Sequence, residues 1–257
     1  MTLDPVRTFL RKPPPKMAEG DRVYAIGDIH GHAGLLAELL REIERDKAQR
    51  PSARVRIVIL GDVIDHGPDT AKLLEVCLPA VGENFIVLKG NHEQLMVAAY
   101  QGDVEAMDIW LSVGGAQTLQ SFGVPRSAIT RLDLVATLNA MRSVVQQDLI
   151  NWLDRLPTSI RIGDYFFCHA GVRPKVPLSD QADRDLLWIR DEFTQSTRFH
   201  GAVVVHGHTI CERGVDIRPN RISVDTGAHR TGILSAVALE ADQKWAISTR
   251  YPTSLAA

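Results

Sequence analysis

Five short apolar runs are spaced along the chain, and polar residues follow each of them. The runs are rich in β-branched or aromatic residues, as buried strands are, and they cover Val23–Ile26, Val55–Leu60, Phe85–Leu88, Tyr165–Cys168 and Ala202–Val205. Helical spacing of apolar residues follows the first three runs and predicts helices over Ala33–Lys47, Asp69–Leu78 and Glu93–Tyr100. This alternation favours a layered sheet with right-handed crossovers.

The alternation stops between residues 101 and 156, where the sequence has mostly helical stretches. These include Val104–Val113 and Leu132–Leu156, with Gly114-Gly115 and Gly123-Val124-Pro125 between them. We interpret residues 101–156 as a helical insertion that covers a site. Short strands return from Ile160 and end in Arg221–Val224, Gly232–Leu239 and Lys244–Thr249, with a more antiparallel character. The predicted fold class is therefore α/β, in an α+β layered form with two packed mixed β-sheets flanked by helices.

The ends of the chain suggest a simple domain organisation. We expect residues 1–20 to form an N-terminal tail and residues 21–257 to form a single domain. The sequence Pro13-Pro14-Pro15 favours extended polyproline geometry in the tail. The alternative is an arm that packs on the domain.

Composition narrows the class of protein without identifying it. The 257 residues are 45% hydrophobic and 23% charged with a formal charge of −2, which is ordinary for a globular protein and gives no general attraction to nucleic acid or anionic membrane. The sequence lacks the apolar core of a signal peptide and any uncharged apolar stretch of membrane-spanning length. Three cysteines are too few for a disulfide framework, so we expect a cytoplasmic protein with reduced thiols. The oligomeric state stays open.

The polar residues just beyond the runs are of the kinds that bind metal ions. They form five glycine-containing turns: Gly27-Asp28-Ile29-His30-Gly31, Gly61-Asp62 running to Asp65-His66-Gly67, Gly90-Asn91-His92-Glu93, His169-Ala170-Gly171 and Gly207-His208-Thr209. In open α/β sheets, ligands bind beyond the carboxyl ends of the strands. We therefore expect the five turns to converge on one crevice.

The residue types in these turns suit two metal ions. Asp28 and His30 can face one cation from a single short loop, and the two oxygens of Asp62 can bridge that cation to a second one. Asn91, His169 and His208 can complete the second ligand set. Because these three are neutral, much of the cationic charge stays available to a phosphate group. Two such cations would acidify a bridging water and hold it in line with phosphorus.

A leaving alkoxide also needs a proton. His92 adjoins the ligand Asn91 and can supply it if a carboxylate fixes its tautomer, for which Asp65 is the candidate. Arg190 can bind the phosphate through its two-pronged guanidinium. These residues predict a phosphoester hydrolase with His92, Asp65 and Arg190 as its catalytic groups.

The ensemble GDIHG, GDVIDHG, GNHE, CHAG and HGHT, with DLLWIRDEF before the last motif, resembles the calcineurin-like metallophosphoesterases. It is most similar to their Ser/Thr protein phosphatase branch and covers roughly residues 22–230. The resemblance implies the metallophosphoesterase sandwich and the ligand sets named above. It also implies Mn²⁺, Fe or Zn as the metal and direct attack on phosphorus by a bridging metal hydroxide. Asn91, Arg190 and His66 fall at phosphate-contacting positions.

One position departs from the family pattern. The second motif normally ends Asp-Arg-Gly, but this chain has Asp65-His66-Gly67. Histidine carries a full charge only when it is protonated, so we expect weaker phosphate binding or a more acidic pH optimum. Arg173 is a possible replacement for the missing charge.

Three functions fit this sequence. The favoured one is a Ser/Thr protein phosphatase that acts on a phosphorylated protein or a small phosphoester. The second is a phosphoanhydride hydrolase that acts on dinucleoside polyphosphates or RNA 5′ caps, the only nucleic-acid partner expected. The third is a phospho-ligand binding module without activity. Among residues near the motifs, the pattern favours core packing for Trp188, a surface position for His229 and a turn or capping role for Glu93.

Overall fold

The computed structural model describes residues 14–249, which form two mixed five-stranded β-sheets with flanking helices. The first sheet has the strand order β10-β9-β1-β2-β3. Its strands are β1 (Asp21–Ile26), β2 (Arg54–Ile59), β3 (Phe85–Val87), β9 (Ser235–Glu240) and β10 (Gln243–Ser248). Strands β1, β2 and β3 run parallel, whereas β9 is antiparallel to both β1 and β10. The C-terminal strands thus extend the N-terminal sheet.

The second sheet has the order β4-β5-β6-β8-β7. Its strands are β4 (Ser159–Ile162), β5 (Tyr165–Cys168), β6 (Val203–His206), β7 (Asp216–Ile217) and β8 (Arg221–Ser223). The three central strands are parallel, and the edge strands β4 and β7 are antiparallel to their neighbours. The prediction of two mixed sheets is confirmed, although β7 is too short to have a readable pattern.

Apolar side chains fill the layer between the two sheets. In β1, Val23 and Ala25 belong to this layer, together with Phe167 of β5, while Tyr24 and Ile26 belong to the cluster on the helical side. Successive side chains of a strand point to opposite faces, and here both faces are buried. This explains why the sequence of β1 is continuously apolar from Val23 to Ile26. Burial of each such large side chain contributes about 1.5–3 kcal/mol.

Three helices cover the outer face of the first sheet. They are α1 (Ala33–Ala48), α2 (Thr70–Ala80) and α3 (Asn91–Gln101), and each follows one of the parallel strands, as predicted. Helix α3 begins two residues earlier than expected. The Glu93 carboxylate accepts a hydrogen bond from the backbone N–H of Gly90 at 2.8 Å and so caps the helix. Asn91 and His92 therefore lie in the first helical turn and not in a loop.

The predicted helical insertion consists of short helices joined by turns. It contains α4 (Val104–Trp110), a wide π-type segment (Leu111–Gly115), α5 (Ala116–Ser121), a 3₁₀ turn (Arg126–Ala128), α6 (Leu134–Val144) and α7 (Gln147–Asp154). The helical stretch predicted over Leu132–Leu156 is not continuous, because it divides into α6 and α7 with a break at Val145. There the backbone is extended, the side chain is buried, and the carbonyl accepts a hydrogen bond from Tyr100 Oη. A tertiary contact therefore overrides the helical pattern.

The remaining helices are short. They are a 3₁₀ turn (Leu178–Asp180), α8 (Asp183–Trp188), α9 (Asp191–Thr194) and α10 (Ala228–Thr231). Within residues 14–249, each helix is too short or too polar to span a bilayer.

The described part of the predicted tail packs against both sheets. The backbone N–H of Met17 donates to Ala241 between β9 and β10, and the carbonyl of Lys16 accepts from Asp164 between β4 and β5. Met17 is also buried in the layer between the sheets. Residues 14–20 therefore form a packed arm, which is the alternative to a free tail. Residues 1–13 lie outside the described residues, and a single domain over residues 21–257 stays a prediction.

Candidate metal centre and active site

The five glycine-containing turns lie at the carboxyl ends of β1, β2, β5 and β6 and at the start of α3. Three predicted ligands adopt left-handed backbone conformations, with φ of 49° at His30, 48° at Asp62 and 61° at His208. Such conformations cost non-glycine residues about 1–3 kcal/mol each and concentrate at functional sites. The strain at three adjoining loops marks this edge as the candidate site.

The first group of ligand candidates consists of Asp28, His30 and Asp62. All three are buried, and each offers one donor atom within 4.8 Å of the others. His30 Nδ1 lies 2.9 Å from the carbonyl oxygen of Ile64, so Nδ1 holds the proton and donates. Nε2 is then the lone-pair nitrogen, and it lies 3.8 Å from Asp62 Oδ2. Burial lowers the pKa of His30 and favours this neutral form.

The second group consists of Asp62, His169 and His208, with Asn91 beside them. His169 Nδ1 donates to the carbonyl of Leu60 at 3.0 Å, which leaves Nε2 without a proton. That nitrogen nevertheless lies 2.8 Å from Asn91 Oδ1, 3.2 Å from His208 Nδ1 and 3.4 Å from Asp62 Oδ2. Burial lowers the pKa of His169, so a second proton is disfavoured. Converging acceptors without protons between them are what a cation would bind.

His208 has the same electrostatic character. Burial, followed by the neighbouring His169, lowers the pKa of His208 to about 2, so the ring is neutral. Its Nε2 atom is buried and has no hydrogen-bond partner within the described part of the chain. The other nitrogen, Nδ1, lies 3.2 Å from His169 Nε2 and so faces the ligand group, and a neutral imidazole can coordinate a metal ion through this nitrogen.

Backbone groups hold the carboxylates in place. Asp28 accepts a hydrogen bond from the N–H of His208 at 3.0 Å, and Asp62 accepts one from the N–H of His92 at 3.1 Å. A Cβ atom at Gly207 would collide with Asp28, and one at Gly90 would collide with Asp62. These two positions therefore require glycine.

Glu93 stabilises the loop that carries Asp62. It is fully buried and accepts hydrogen bonds from the backbone N–H groups of Asp62, Val63 and Ile64, in addition to Gly90. The capping role expected for Glu93 therefore extends to the loop that carries Asp62. One side chain thus holds both the start of α3 and the loop that follows β2.

The predicted acid and its partner lie in contact. His92 Nδ1 is 2.6 Å from Asp65 Oδ2, and His92 Nε2 lies 3.8 Å from Asp62 Oδ2. Burial alone would lower the pKa of His92, but the Asp62 and Asp65 carboxylates raise it to about 9. Nε2 therefore carries a proton at neutral pH and faces the ligand clusters. Asp65 also accepts hydrogen bonds from Trp110 and Thr118 of the insertion.

A cavity of about 540 Å³ opens above these groups. Five of the six ligand candidates line it, all except His169. The acid His92 and the predicted phosphate-contacting residues His66 and Arg190 line it as well. Ser112 and Val113 of the insertion form part of its wall. The insertion therefore borders the site, as expected for a segment that covers it.

Three expectations at the edge of the site are wrong. Arg173 cannot replace the missing arginine, because its guanidinium is bound to Asp185 and Glu192. Trp188 is 36% exposed and donates Nε1–H to Gln94 at 2.7 Å, so it is not a core residue.

His229 is the third of these. It is half-buried, lines the cavity and stacks on His66 with ring centroids 4.2 Å apart and planes 10° apart. Burial, followed by His66, lowers the pKa of His229 to about 4. Its Nδ1 atom is buried and has no hydrogen-bond partner among the described residues.

Asp225 is a site residue that the sequence reasoning missed. It is buried, lines the cavity just beyond β8 and accepts a hydrogen bond from Gly227 N–H at 2.8 Å. Burial raises the pKa of Asp225 to about 6. Burial, together with the charges of Asp225 and Asp62, raises the pKa of Asp28 well above its ordinary value. The sequence signal for Asp225 was an acidic residue followed by a glycine after an apolar run, as at Asp28 and Gly31.

Comparison with known proteins places this geometry in a family. The model of the calcineurin-like phosphoesterases matches residues 21–228, which include all six ligand candidates. The chain belongs to the calcineurin-like phosphoesterase family. This calcineurin-like phosphoesterase is a hydrolase that acts on phosphoric ester bonds, in a family that depends on a dinuclear metal centre.

The curated relatives fall into two groups. The calcineurin-like phosphoesterase is 28% identical to serine/threonine-protein phosphatase 1 of Salmonella typhimurium, over 85% of this chain and 92% of that protein. It is 35% identical to the symmetrical bis(5′-nucleosyl)-tetraphosphatase of Delftia acidovorans over 80 residues, which are 31% of this chain and 26% of that protein. For the corresponding Janthinobacterium enzyme, the identity is 27% and the matched share of that protein is 44%.

Solved structures support the fold. One protein proposed to be a diadenosine tetraphosphatase superposes with a TM-score of 0.60 at 20% identity, covering 91% of this chain and 96% of its own. A cold-active protein-tyrosine phosphatase of a Shewanella species superposes with a TM-score of 0.53 at 19% identity, covering 91% and 83%. At these identities the likeness concerns the fold alone.

Proposed function

We propose that this calcineurin-like phosphoesterase removes phosphate from phosphoserine and phosphothreonine in proteins. One observation carries the proposal: the Asp62 carboxylate belongs to both ligand clusters, and the His92–Asp65 pair lies directly beside it. Groups suited to binding cations and a group suited to protonating an alkoxide therefore border one cavity. A hydrolase of phosphomonoesters needs both.

The donor atoms fit two divalent cations. The first cation would be held by Asp28, His30 and Asp62, and the second by Asp62, Asn91, His169 and His208. Mixed carboxylate, amide and imidazole donors suit Mn²⁺, Fe or Zn, and we propose Mn²⁺. When bound, two such cations supply Lewis-acid neutralisation of phosphate charge and lower the pKa of a water molecule that then attacks phosphorus.

Phosphate binding falls to groups that line the cavity. Arg190 offers a permanently charged pair of donors to the phosphate oxygens, and the Asn91 amide can donate there as well. His66 is neutral, because burial and then the charge of His92 lower its pKa. It can give one hydrogen bond where an arginine would give a full charge, which supports the expectation of weaker phosphate binding.

The side chains of this protein transfer one proton to the leaving group. As the bond from phosphorus to the serine or threonine oxygen breaks, His92 Nε2 gives its proton to that oxygen, while the water oxygen forms the new bond to phosphorus. Asp65 keeps the other ring nitrogen protonated and holds the ring plane. In the metal-free protein the Asp62 and Asp65 carboxylates raise the pKa of His92 to about 9, so the ring holds this proton at neutral pH.

The substrate class rests on the extent of similarity. The Salmonella phosphatase is matched over 92% of its length, whereas the Delftia and Janthinobacterium tetraphosphatases are matched over less than half of theirs. This favours a phosphoprotein substrate. Hydrolysis of a phosphoanhydride, as in dinucleoside polyphosphates or RNA 5′ caps, is the second candidate, because the chain is 35% identical to a symmetrical tetraphosphatase over 80 residues.

One preparation can test the substrate, the metal and the activity together. The protein is stripped of metal, loaded separately with Mn²⁺, Fe²⁺ or Zn²⁺, and assayed on phosphoserine and phosphothreonine peptides, diadenosine tetraphosphate and capped RNA. We expect the highest kcat/KM on the phosphopeptides with Mn²⁺ and no turnover after chelation. Higher kcat/KM on diadenosine tetraphosphate or capped RNA would transfer the proposal to the phosphoanhydride class.

A further inference from the structure

Asp65 receives more hydrogen bonds than its role beside His92 requires. Its side chain is fully buried. In addition to His92, the Trp110 indole N–H lies 2.9 Å from Oδ2 and 3.1 Å from Oδ1, and the Thr118 hydroxyl donates to Oδ1 at 2.6 Å. Both carboxylate oxygens are therefore occupied by donors from the insertion.

Thr118 also holds the backbone of Asp65. Its Oγ1 atom accepts the Asp65 N–H at 3.0 Å and lies 3.2 Å from Thr70 Oγ1. Asp65 has a φ of 75°, which is unfavourable for a residue with a side chain. One hydroxyl thus contacts both the backbone and the carboxylate of the same strained residue.

The shape of the insertion makes this double contact possible. In a continuous α-helix, residues eight positions apart are separated by about 12 Å along the axis, too far for both to reach one carboxylate. Here the π-type segment interrupts the helix, and Val113 and Gly114 have non-helical backbone angles. Gly115 packs on the indole so closely that an added Cβ would lie 2.5 Å from the Trp110 ring. The glycine pair therefore turns α5 back so that Trp110 and Thr118 meet at Asp65.

We infer that Trp110 and Thr118 are positioning residues, through which the insertion orients the proton donor His92. With donors fixed on both oxygens, the Asp65 carboxylate cannot rotate, so the direction of the bond to His92 Nδ1 is set. That bond sets the plane of the imidazole and the aim of its Nε2–H at the leaving oxygen. This inference rests on the proposed phosphomonoesterase activity.

The expected signature is a dependence on the leaving group. An alkoxide such as that of serine needs a proton as it leaves, whereas p-nitrophenolate is stable without one. A misaligned His92 therefore slows turnover of phosphoserine peptides much more than turnover of p-nitrophenyl phosphate. KM for both substrates stays close to wild type, because neither Trp110 nor Thr118 lines the phosphate-binding cavity.

The test uses Thr118→Val, Thr118→Ser and Trp110→Phe in the full chain loaded with Mn²⁺. General acid catalysis contributes about 10²- to 10⁴-fold, and partial misalignment removes part of it. We expect Thr118→Val and Trp110→Phe to lower kcat on the phosphoserine peptide by about 10- to 100-fold and kcat on p-nitrophenyl phosphate by less than about threefold. Thr118→Ser keeps the hydroxyl and should retain nearly wild-type kcat on both substrates.

Thr137→Val is the matched control. Thr137 is another fully buried threonine of the insertion, and within residues 14–249 its hydroxyl bonds only to Thr130. Its loss should destabilise the insertion to a similar extent and leave the ratio of the two kcat values unchanged. Metal content and thermal unfolding are measured for each variant.

The possible outcomes separate the two proposals. Equal loss on both substrates, or unchanged turnover of the phosphopeptide by Thr118→Val and Trp110→Phe, overturns the positioning role while the phosphatase function stands. A change of the kcat ratio in Thr137→Val also overturns it, because general loosening of the insertion would then be sufficient. A metal-loaded wild type without phosphomonoesterase activity overturns the proposed function and the inference with it.

Discussion

Replacement of His92 by asparagine tests the proton transfer directly. His92 Nδ1 lies 2.6 Å from Asp65 Oδ2, and the pKa of about 9 keeps the proton on Nε2 at neutral pH. Asparagine can occupy the same helical position but cannot act as an acid in this pH range. General acid catalysis contributes about 10²- to 10⁴-fold, which corresponds to about 3–5 kcal/mol of transition-state stabilisation. We therefore expect kcat on a phosphoserine peptide to fall by that factor.

The assay compares kcat with metal occupancy in the same preparation. The His92 side chain is not among the proposed ligands, so metal content by elemental analysis should remain at the wild-type level. His200→Asn is a suitable control, because His200 is half-buried against Phe193, away from the cavity. Turnover of His92→Asn within about threefold of wild type would remove His92 from the mechanism, since a real general acid is worth far more. Loss of metal in that variant would instead make His92 part of the metal site.

Three further predictions follow from the charges around the site. His66→Arg should tighten inhibition by inorganic phosphate, by about tenfold, because a permanent charge replaces a neutral ring; unchanged inhibition would show that another group already binds that oxygen. Chelation should lower the Tm by about 10 °C, since binding at a thousand times Kd stabilises the fold by about 4 kcal/mol, as calorimetry can check. In the metal-free protein, burial raises the pKa of Glu93 to about 7 and of Asp225 to about 6. The folded state then binds protons more tightly at these two carboxyls, so their own contribution to the free energy of unfolding falls from about pH 4 to about pH 7, by up to about 3 kcal/mol per group. The buried histidines, whose pKa values are lowered, act in the opposite direction. Urea titrations of wild type and Asp225→Asn at both pH values should therefore record the carboxyl contribution as a difference between the two proteins.

The sequence predicted the layers of the fold because the buried strands have strong local patterns. β5 is apolar on both faces and has the predicted boundaries, whereas β1 is apolar from Val23 and begins two residues earlier, at Asp21. The break at Val145 was not predictable, because a contact with Tyr100, 45 residues away, decides it. A helix was therefore predicted well where local apolar spacing determined the backbone conformation, and poorly where a residue distant in sequence determined it.

The ligand candidates were predictable for a topological reason. They follow strands whose carboxyl ends must meet at one edge, so their convergence does not depend on details of the intervening chain. The supports of Asp65 are different, because Trp110 and Thr118 lie 45 and 53 residues further along the sequence. In the sequence, the glycine pair between them indicated only an interruption of the helix. Its second role, as the place where an indole packs on the backbone, is visible only in three dimensions.

His66, where the chain departs from the family pattern, packs against a residue that the sequence did not connect with it. His229 lies face to face with His66 at a centroid distance of 4.2 Å, and both border the cavity. A guanidinium also stacks on aromatic faces, so the ring of His229 offers the same support to an arginine at position 66. The shape of the site is therefore compatible with either residue, and what differs is the charge. For this reason the His66→Arg variant should report on phosphate electrostatics and leave the packing of the cavity wall unchanged.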